Sequence, residues 1–311
     1  MRTITIALCC LFLHVGLSAQ NVVVLRVSGQ VQYYAQHGAK PLSMYPGMEL
    51  ELKGKVRCKG SASAKLLYKG STFLVSGNKL RDVQDIVKAA VAASPMSFTG
   101  RFFSFVTESV KDGESQEKVQ KHHRRYMSKT SAGIEHYAEK EFKIPALLLT
   151  TGKLPAATII FKWRNTPGEG PYTFRLFEPK GKQIAQLLVR DTSVTLDLDQ
   201  LAMDIFAEYK WDVTRGEGTK SAPTPFEVCP DKAKEVQAEI AQDPAFQSAD
   251  PTEQQLMLAY SLEEERCFYS ANNTYAHLLA ADPDNVLLRK MYATFLARMN
   301  MLPEASALIP R

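Results

Sequence analysis

The residues most suited to chemistry lie in a basic, histidine-containing stretch. His122 and His123 are adjacent, and His136 follows in the same charged segment. Imidazole binds zinc, but zinc sites use histidines about four residues apart on one helix face, or a nearby cysteine pair. Adjacent helical residues point about 100° apart, so this pair cannot easily share an ion. The pattern favours a solvated segment over a metal site, and we predict no cofactor.

The same stretch has basic side chains that could bind an anion, such as a phospholipid headgroup or a lipopolysaccharide phosphate: Lys121, Arg124, Arg125 and Lys129. A guanidinium group matches phosphate geometry. Glutamates flank these residues, and the net charge is only +5, so solvation at the surface competes with specific binding. This small net charge does not indicate nucleic-acid binding, because a nucleic-acid site needs clustered Lys and Arg side chains that neutralise several phosphates.

Two further residue types are more consistent with a core than with a site. Trp163 and Trp211 could stack on a sugar, but they lie in alternating strand patterns that favour burial. Cys58, Cys229 and Cys267 allow at most one disulfide. Unpaired, buried thiols are the favoured interpretation, and the sequence does not decide whether a bridge forms. No catalytic motif is found, so we do not predict an enzyme.

Residues 1–19 have the features of a signal peptide. A basic start at Arg2 precedes an apolar run from Ile4 to Leu17, and the small residue Ala19 ends the segment. The run is shorter than the roughly 20 apolar residues that span a bilayer. We therefore expect export to the periplasm or the cell exterior, with no transmembrane segment in the mature chain.

Residues 20–78 contain short apolar segments separated by glycine turns, which predicts a small antiparallel β domain. The segments Val27–Val31, Pro46–Leu50 and 62–70 resemble the FecR-type β domain. That resemblance implies a binding or assembly role outside the cytoplasm. Signalling members of the family have a transmembrane helix before this domain. A signal peptide takes its place here, so signalling to a sigma factor is not expected.

Residues 79–145 are predicted to be a helical and charged linker. Apolar residues recur at helical spacing from Leu80 to Val91, and again from Phe102 to Val110. Residues 111–143 are charged and have few large aliphatic side chains, so we interpret them as exposed.

Residues 146–228 return to strands with a period of two, which predicts a β-sandwich. The segments Phe161–Trp163 and Tyr209–Val213 resemble core strands of immunoglobulin-like and fibronectin-type modules. That architecture implies no particular activity.

Residues 229–311 are predicted to form helical hairpins with an internal repeat. Leu258, Ala259, Leu262 and Ala271 are followed 34 residues later by Tyr292, Ala293, Leu296 and Ala305. This register resembles the tetratricopeptide repeat, which implies a groove lined by the first helix of each hairpin. A partner's peptide or helix would lie there, against Leu262, Arg266, Arg289 and Arg298.

The sequence thus predicts a multi-domain α+β protein: a small antiparallel β domain, a helical linker, a β-sandwich and C-terminal helical hairpins. We expect an exported, non-catalytic binding or assembly protein of the bacterial envelope that docks with another envelope protein. The alternative is an enzyme acting on the cell wall or a polysaccharide, with its site between domains. Paired carboxylates in a cleft would distinguish that alternative.

Overall fold

The computed structural model describes residues 21–35, 40–88, 94, 97–131, 143–166, 170–216 and 218–309. The chain has the mixed α+β fold that the sequence predicts. A β-rich N-terminal unit is followed by helices, a second β-rich unit and further helices. The predicted signal peptide lies outside the described residues. No described helix is both long enough and apolar enough to cross a membrane.

The N-terminal unit consists of two four-stranded antiparallel sheets. Their strand orders are β4-β1-β6-β7 and β3-β2-β5-β8. The elements are β1 (Val22–Ser28), β2 (Val31–Tyr34), β3 (Leu42–Ser43), β4 (Glu49–Leu50), β5 (Lys55–Cys58), β6 (Ser63–Tyr68), β7 (Ser71–Ser76), β8 (Arg81–Asp82) and α1 (Val83–Ile86). The helix predicted from Leu80 to Val91 is described over Val83–Ile86 only, and residues 89–93 are outside the described part.

Strand β1 is buried on both faces, which explains its unbroken apolar run. Val22 and Val24 belong to the core of the N-terminal unit. Val23 and Leu25 point the other way, into the core formed by the helices. Residues two apart in a strand share a face, so β1 joins two cores.

The helices come from two separated parts of the chain but share one core. They are α2 (Phe98–Asp112), α3 (Gln116–Ser131), α4 (Lys232–Ile240), α5 (Pro244–Ser248), α6 (Pro251–Glu264), α7 (Phe268–Ala281), α8 (Val286–Arg298) and α9 (Leu302–Ala307). Asp250 caps α6, accepting from the N–H groups of Thr252 and Glu253 at 3.1 and 3.2 Å. Asn285 caps α8 in the same way. Such caps satisfy N–H groups that a helix leaves unpaired.

The prediction that residues 111–143 are exposed is wrong at Val119 and His122, which are buried, whereas Lys121 and Arg124 on the same helix are exposed as predicted. Helices α2 and α3 pack on the C-terminal helices, and Phe102, Val110 and Val119 are buried in the shared core. The buried face of α3 consists of Val119 and His122, with few aliphatic residues. Because histidine counts as polar in a hydropathy pattern, this face does not look apolar in the sequence.

The second β-rich unit has two sheets that face each other. Its strands are β9 (Gly152–Leu154), β10 (Thr158–Lys162), β11 (Tyr172–Phe177), β12 (Gln183–Val189), β13 (Ser193–Asp197), β14 (Glu208–Arg215), β15 (Thr219–Lys220) and β16 (Thr224–Val228). The larger sheet has the order β12-β11-β14-β16-β9, with β15 also on β14, and β10 pairs with β13. β9 runs parallel to β16, unlike the other pairs.

Aromatic rings fill the space between the two sheets of this unit. The ring of Phe161, on β10, lies 5.3 Å from that of Phe174 and 5.6 Å from that of Trp211, on the larger sheet. Trp163 and Trp211 are buried. The expectation that both tryptophans belong to the core is therefore confirmed.

The second β-rich unit contacts the helices beside β9. The N–H of Lys153 donates to the carbonyl of Arg266 at 2.9 Å. Glu265 accepts ion pairs from Lys153 and Lys232 at 3.2 and 2.9 Å. Cys229 and Cys267 lie in this region, and both are free and buried, as is Cys58 in the N-terminal unit.

Candidate functional site

The predicted partner groove is occupied by the chain itself. Helices α6 and α8, the first helices of the two hairpins, are covered by α2 and α3. The ring of Tyr260 on α6 lies 4.8 Å from that of Phe105 and 5.7 Å from that of Phe102, both on α2. An intramolecular helix therefore takes the place predicted for a partner.

The four residues predicted to contact a partner are in different settings. Leu262 and Arg298 are buried, so a partner cannot reach them in this structure. Arg266 is exposed in the turn after α6, with a left-handed φ of 61°. Arg289 donates to the carbonyl of Asp284 at 3.0 Å, within its own turn. These four residues therefore do not form one surface. The repeat pattern predicts a groove because it does not include α2 and α3, which pack on α6 and α8.

The predicted anion patch lies along α3. Lys121, Arg124 and Lys129 are exposed on this helix. Arg125 is already engaged, since its guanidinium donates to Glu108 at 2.9 Å and to Asp112 at 2.5 Å. The patch therefore has one cation fewer for an external anion than the sequence indicates.

A buried network of ionisable residues, which no pattern in the sequence predicts, connects α2, α3, α6, α7 and α8. Arg298 donates to Glu263 Oε2 through Nε at 3.2 Å and through Nη2 at 2.6 Å. Glu263 Oε1 accepts from the Tyr275 hydroxyl at 2.8 Å. On its other side, Arg298 Nη1 lies 3.2 Å from His122 Nε2. His122 Nδ1 lies 2.8 Å from Asp112 Oδ2.

One tautomer of His122 satisfies both its contact with Arg298 and its contact with Asp112. A guanidinium can only donate, so His122 Nε2 accepts from Arg298. Nδ1 then carries the proton and donates to Asp112 at 2.8 Å, so it does not accept a hydrogen bond from Arg125, whose Nη2 lies 3.1 Å away. The lone pair that a general base would need is thus used by an arginine, which stays charged in proteins. The arrangement links helices and does not offer His122 for proton transfer.

Burial and pairing shift the pKa values in this network. Burial alone would raise the pKa of Asp112, but the hydrogen bonds from His122 and Arg125 lower it below its ordinary value. Burial raises the pKa of Tyr275, and the neighbouring carboxylate of Glu263 raises it further. The lowered pKa favours the ionised form of Asp112, which accepts hydrogen bonds, and the raised pKa favours the neutral form of Tyr275, which donates one.

Glu108, Asp112 and His122 offer ligand atoms that all lie within 4.8 Å of one another, which is a spacing that could hold a metal ion. In this structure the guanidinium of Arg125 lies among them, 2.9 Å from Glu108 and 3.1 Å from His122 Nδ1. A cation from the chain thus already satisfies the cluster. His123 turns away and lies 3.2 Å from Asn300 Oδ1, as expected for adjacent helical residues. His136 lies outside the described residues.

A second site is the cleft where the N-terminal unit meets α2, α6 and α8, with a volume of about 300 Å³. We call it the Glu253 cleft. Its walls are mainly apolar and include Leu25, Phe102 and Leu288. Arg26 and Asp250 bridge its rim at 3.2 Å. Ligand sites prefer such junctions between units and have volumes of about 300–1,000 Å³.

A third feature is the outer edge of β12, at one end of the larger sheet. The strand reads Gln-Ile-Ala-Gln-Leu-Leu-Val, with no charged residue. Ile184, Leu187 and Leu188 are 40%, 38% and 70% exposed. Among the described residues, no strand pairs with its outer edge.

Comparisons with protein-family models, with curated proteins and with solved structures found no match for this chain. The likenesses to FecR-type, immunoglobulin-like and tetratricopeptide modules therefore remain expectations from the sequence.

Proposed function

We propose that this chain is an exported, non-catalytic binding or assembly protein of the bacterial envelope. It docks with a partner protein by adding a strand from that partner to β12. The uncharged, exposed edge of β12 is the observation that carries the proposal. The signal-peptide pattern supports export.

An unpaired strand edge presents a row of N–H and C=O groups to any extended chain that approaches. Soluble proteins usually protect such edges with charges, prolines or bulges. β12 has a register shift only at its start, opposite Phe177, and its ladder from Ala185 to Val189 is regular. An edge that is regular and uncharged suits strand addition, in which main-chain bonds supply affinity.

Side chains on both faces of β12 would gain burial from an added strand. Leu187 lies opposite Phe174 and Val189 opposite Tyr172, so they share the core face. Leu188 lies opposite Thr173, on the outer face. A partner strand with apolar residues at successive positions would cover Leu187 on one face and Leu188 on the other, because successive side chains point to opposite faces.

Charge complementarity indicates what kind of segment fits. Exposed Lys180 and Lys182 precede the strand, and exposed Arg190 follows it. A second copy pairing antiparallel about Gln186 would place Lys182 opposite Arg190, and like charges in that position are destabilising. The proposed occupant is therefore an extended segment of another protein, with an apolar centre and acidic flanks.

The experiment is site-specific photo-crosslinking in the intact envelope, with the crosslinking residue at position 188. The matched control position is Ile205, which is also exposed, at 57%, but lies outside the strands. The expected adduct maps by mass spectrometry to an apolar segment flanked by acidic residues, and it is absent from position 205. Leu188→Lys should prevent its formation from a crosslinker at position 184.

An adduct to a second copy of the chain would overturn the proposal, as would no adduct at position 188 or the same adduct at position 205. Recovery of the chain only from the cytoplasm would overturn the envelope assignment.

The alternative function is an enzyme acting on the cell wall or a polysaccharide. Its acid and base would have to come from the three carboxylates that line the Glu253 cleft: Asp250, Glu253 and Asp282. Glycoside hydrolysis needs two available carboxyl groups about 5–9.5 Å apart. Both oxygens of Asp250 are engaged, by the α6 cap and by Arg26. Asp282 Oδ2 accepts from Asn285 at 3.0 Å. Release of reducing ends from purified peptidoglycan, lost in Glu253→Gln, would establish the enzyme instead.

A further inference from the structure

The N-terminal unit is strongly basic, in contrast to the rest of the chain. Residues 21–88 contain 11 lysines and arginines and four aspartates and glutamates, a net charge of +7, whereas the whole chain has +5. The remaining residues together therefore have a net negative charge. Because a surface of one sign attracts ligands of the opposite sign, this unit is suited to an anionic ligand. Strand addition at β12, in the second β-rich unit, does not use this charge.

Four basic residues recur at every second position along β5 and its two ends. We call this set the β5 basic row: Lys53, Lys55, Arg57 and Lys59. Val56 and Cys58, which alternate with them, belong to the core of the unit. Since alternate residues share a face of a strand, Lys55 and Arg57 point outward, roughly 6.6–6.8 Å apart along the strand. Lys53 and Lys59 are exposed just before and just after the strand.

Arg57 is the residue of the row with the most unused binding capacity. Its Nε is buried and has no hydrogen-bond partner among the described residues, whereas its two Nη groups are not buried with it. The side chain as a whole is partly exposed. An external anion would therefore meet the Nη groups, whose planar arrangement matches a carboxylate.

The neighbouring strand β2 supplies groups that suit a sugar. Tyr34 lies opposite Lys55, and Gln32 lies opposite Arg57, so they share the outer face of the sheet with the basic row. The Tyr34 hydroxyl donates to Gln32 Oε1 at 3.2 Å, which leaves the amide nitrogen of Gln32 to donate to a ligand. An aromatic ring can cover the apolar face of a sugar ring while its hydroxyl group stays in water.

One carboxylate competes for the row. Asp82 pairs with Lys55 at 3.1 Å, and the two side chains are 46% and 34% exposed. Water screens an ion pair of this kind, so it contributes little to stability. A ligand carboxylate can therefore replace Asp82 at small cost.

We propose that the outer face of β2 and β5 binds a linear acidic polysaccharide, with its carboxylates on the β5 basic row and a sugar ring against Tyr34. A row of cations suits a ligand whose charge recurs along an extended chain. The preference for a polyanion follows from this surface alone. The choice of a polysaccharide over a nucleic acid rests on the envelope location in the proposed function, whereas strand addition at β12 can fail independently.

The test is calorimetric titration of the purified full chain with octagalacturonate and with its methyl ester, which has the same sugars without the charge. The acid should bind about tenfold more tightly, because hydrogen bonds between charged groups are worth more than neutral ones. Its affinity should fall as salt is raised from about 50 to 200 mM. A glutamate octapeptide and single-stranded octathymidylate, which are also polyanions, should bind more weakly.

Two variants locate the interaction. Arg57→Gln should weaken octagalacturonate binding by about tenfold. Tyr34→Leu should weaken it by about fivefold and leave the glutamate octapeptide nearly unaffected, because only the sugar uses the ring. The matched control is Lys69→Gln, which removes the same charge from the turn between β6 and β7, in the other sheet of the unit. This control should leave the affinity nearly unchanged.

Equal affinity for octagalacturonate and its methyl ester would overturn the proposal, as would no binding of octagalacturonate. Equal weakening by Arg57→Gln and Lys69→Gln would show a general effect of charge and no site. Tighter binding of octathymidylate or of the glutamate octapeptide would replace the polysaccharide with a nucleic acid or an acidic protein. If Arg57→Gln fails to fold, the four probes on the unmodified chain and the response of Tyr34→Leu still decide the question.

Discussion

His122 Nε2 accepts a hydrogen bond from Arg298 Nη1 at 3.2 Å, although the two residues are 176 positions apart in the sequence. The bond joins α3 to the end of α8. It also completes a buried chain of partners that extends from Asp112 to Glu263. The stability of the helices should therefore depend on groups that a hydropathy pattern would place at the surface.

His122→Phe should lower the free energy of unfolding by about 1–3 kcal/mol. The substitution puts an apolar ring in place of the imidazole and removes one hydrogen-bond partner each from Arg298 and Asp112, which keep Glu263 and Arg125. Urea denaturation followed by circular dichroism measures the change. His277→Phe is the control because His277 is exposed on α7, and it should change stability by less than about 0.5 kcal/mol. Equal effects would show that the network contributes nothing.

Arg298→Met should cost about 3 kcal/mol because it leaves Glu263 buried without its cation. Arg298→Met combined with Glu263→Gln should recover part of that loss, since the second change removes the uncompensated charge. A double-mutant cycle of unfolding free energies measures the coupling. Additive effects of the two substitutions would contradict the ion pair.

Acid should destabilise the protein partly through Asp112. Its pKa is lowered in the folded state, so the unfolded chain takes up this proton at a higher pH. The stabilisation is present above the ordinary carboxyl value of about 3.9 and is lost as pH falls through the lower, folded-state pKa. Asp112→Asn should flatten the acid limb of a stability–pH profile. Asp284→Asn, at an exposed turn, should leave the limb unchanged.

Gly47→Ala should weaken the contact between the N-terminal unit and α8. Gly47 has a φ of 84°, and an added Cβ would lie 2.8 Å from the backbone nitrogen of Leu287. The left-handed backbone costs about 1–2 kcal/mol for alanine, and the clash adds to that cost. Gly60→Ala is the matched control, with a φ of 61° and no atom within 4 Å of an added Cβ. Equal losses of unfolding free energy in Gly47→Ala and Gly60→Ala would show that the backbone near Leu287 moves to accommodate the added Cβ.

The three thiols should react slowly in the folded protein. Burial raises the pKa of Cys267 to about 11, and it also raises the pKa of Cys58 and of Cys229. The thiolate is the reactive form, and little of it exists at neutral pH. Alkylation with iodoacetamide, mapped by mass spectrometry, should label these residues only after unfolding. A peptide that links Cys229 to Cys267 under non-reducing conditions would contradict the free thiols.

The sequence predicted elements best where local pattern and burial agree. The alternation of Tyr172, Phe174 and Leu176 correctly indicated a half-buried strand. Helical spacing correctly indicated the hairpins around Tyr275. It failed at α3, where the buried face uses His122 as a polar core residue. It also could not show that α2 fills the groove, because that contact joins distant segments.

At the candidate sites, too, local features were visible in the sequence, whereas features that depend on contacts between distant segments were not. The apolar composition of β12 was visible in the sequence, but its place at the edge of a sheet was not, since strand order depends on distant pairings. Glu253 appears as an ordinary acidic residue near a helix start. Only the approach of the N-terminal unit buries its carboxylate beside Lys65. Both sites therefore needed tertiary structure to be recognised.

The shared helical core has a consequence for biosynthesis. Helices α2 and α3 leave the ribosome before the second β-rich unit, and α8 follows only after it. Until then, Phe102, Val106 and Val119 have no complete surface to cover them. A nascent chain released before Arg298 would leave these side chains open to chaperones or to aggregation. C-terminal truncation should therefore destabilise α2 and α3, although these helices lie far from the C-terminus in the sequence.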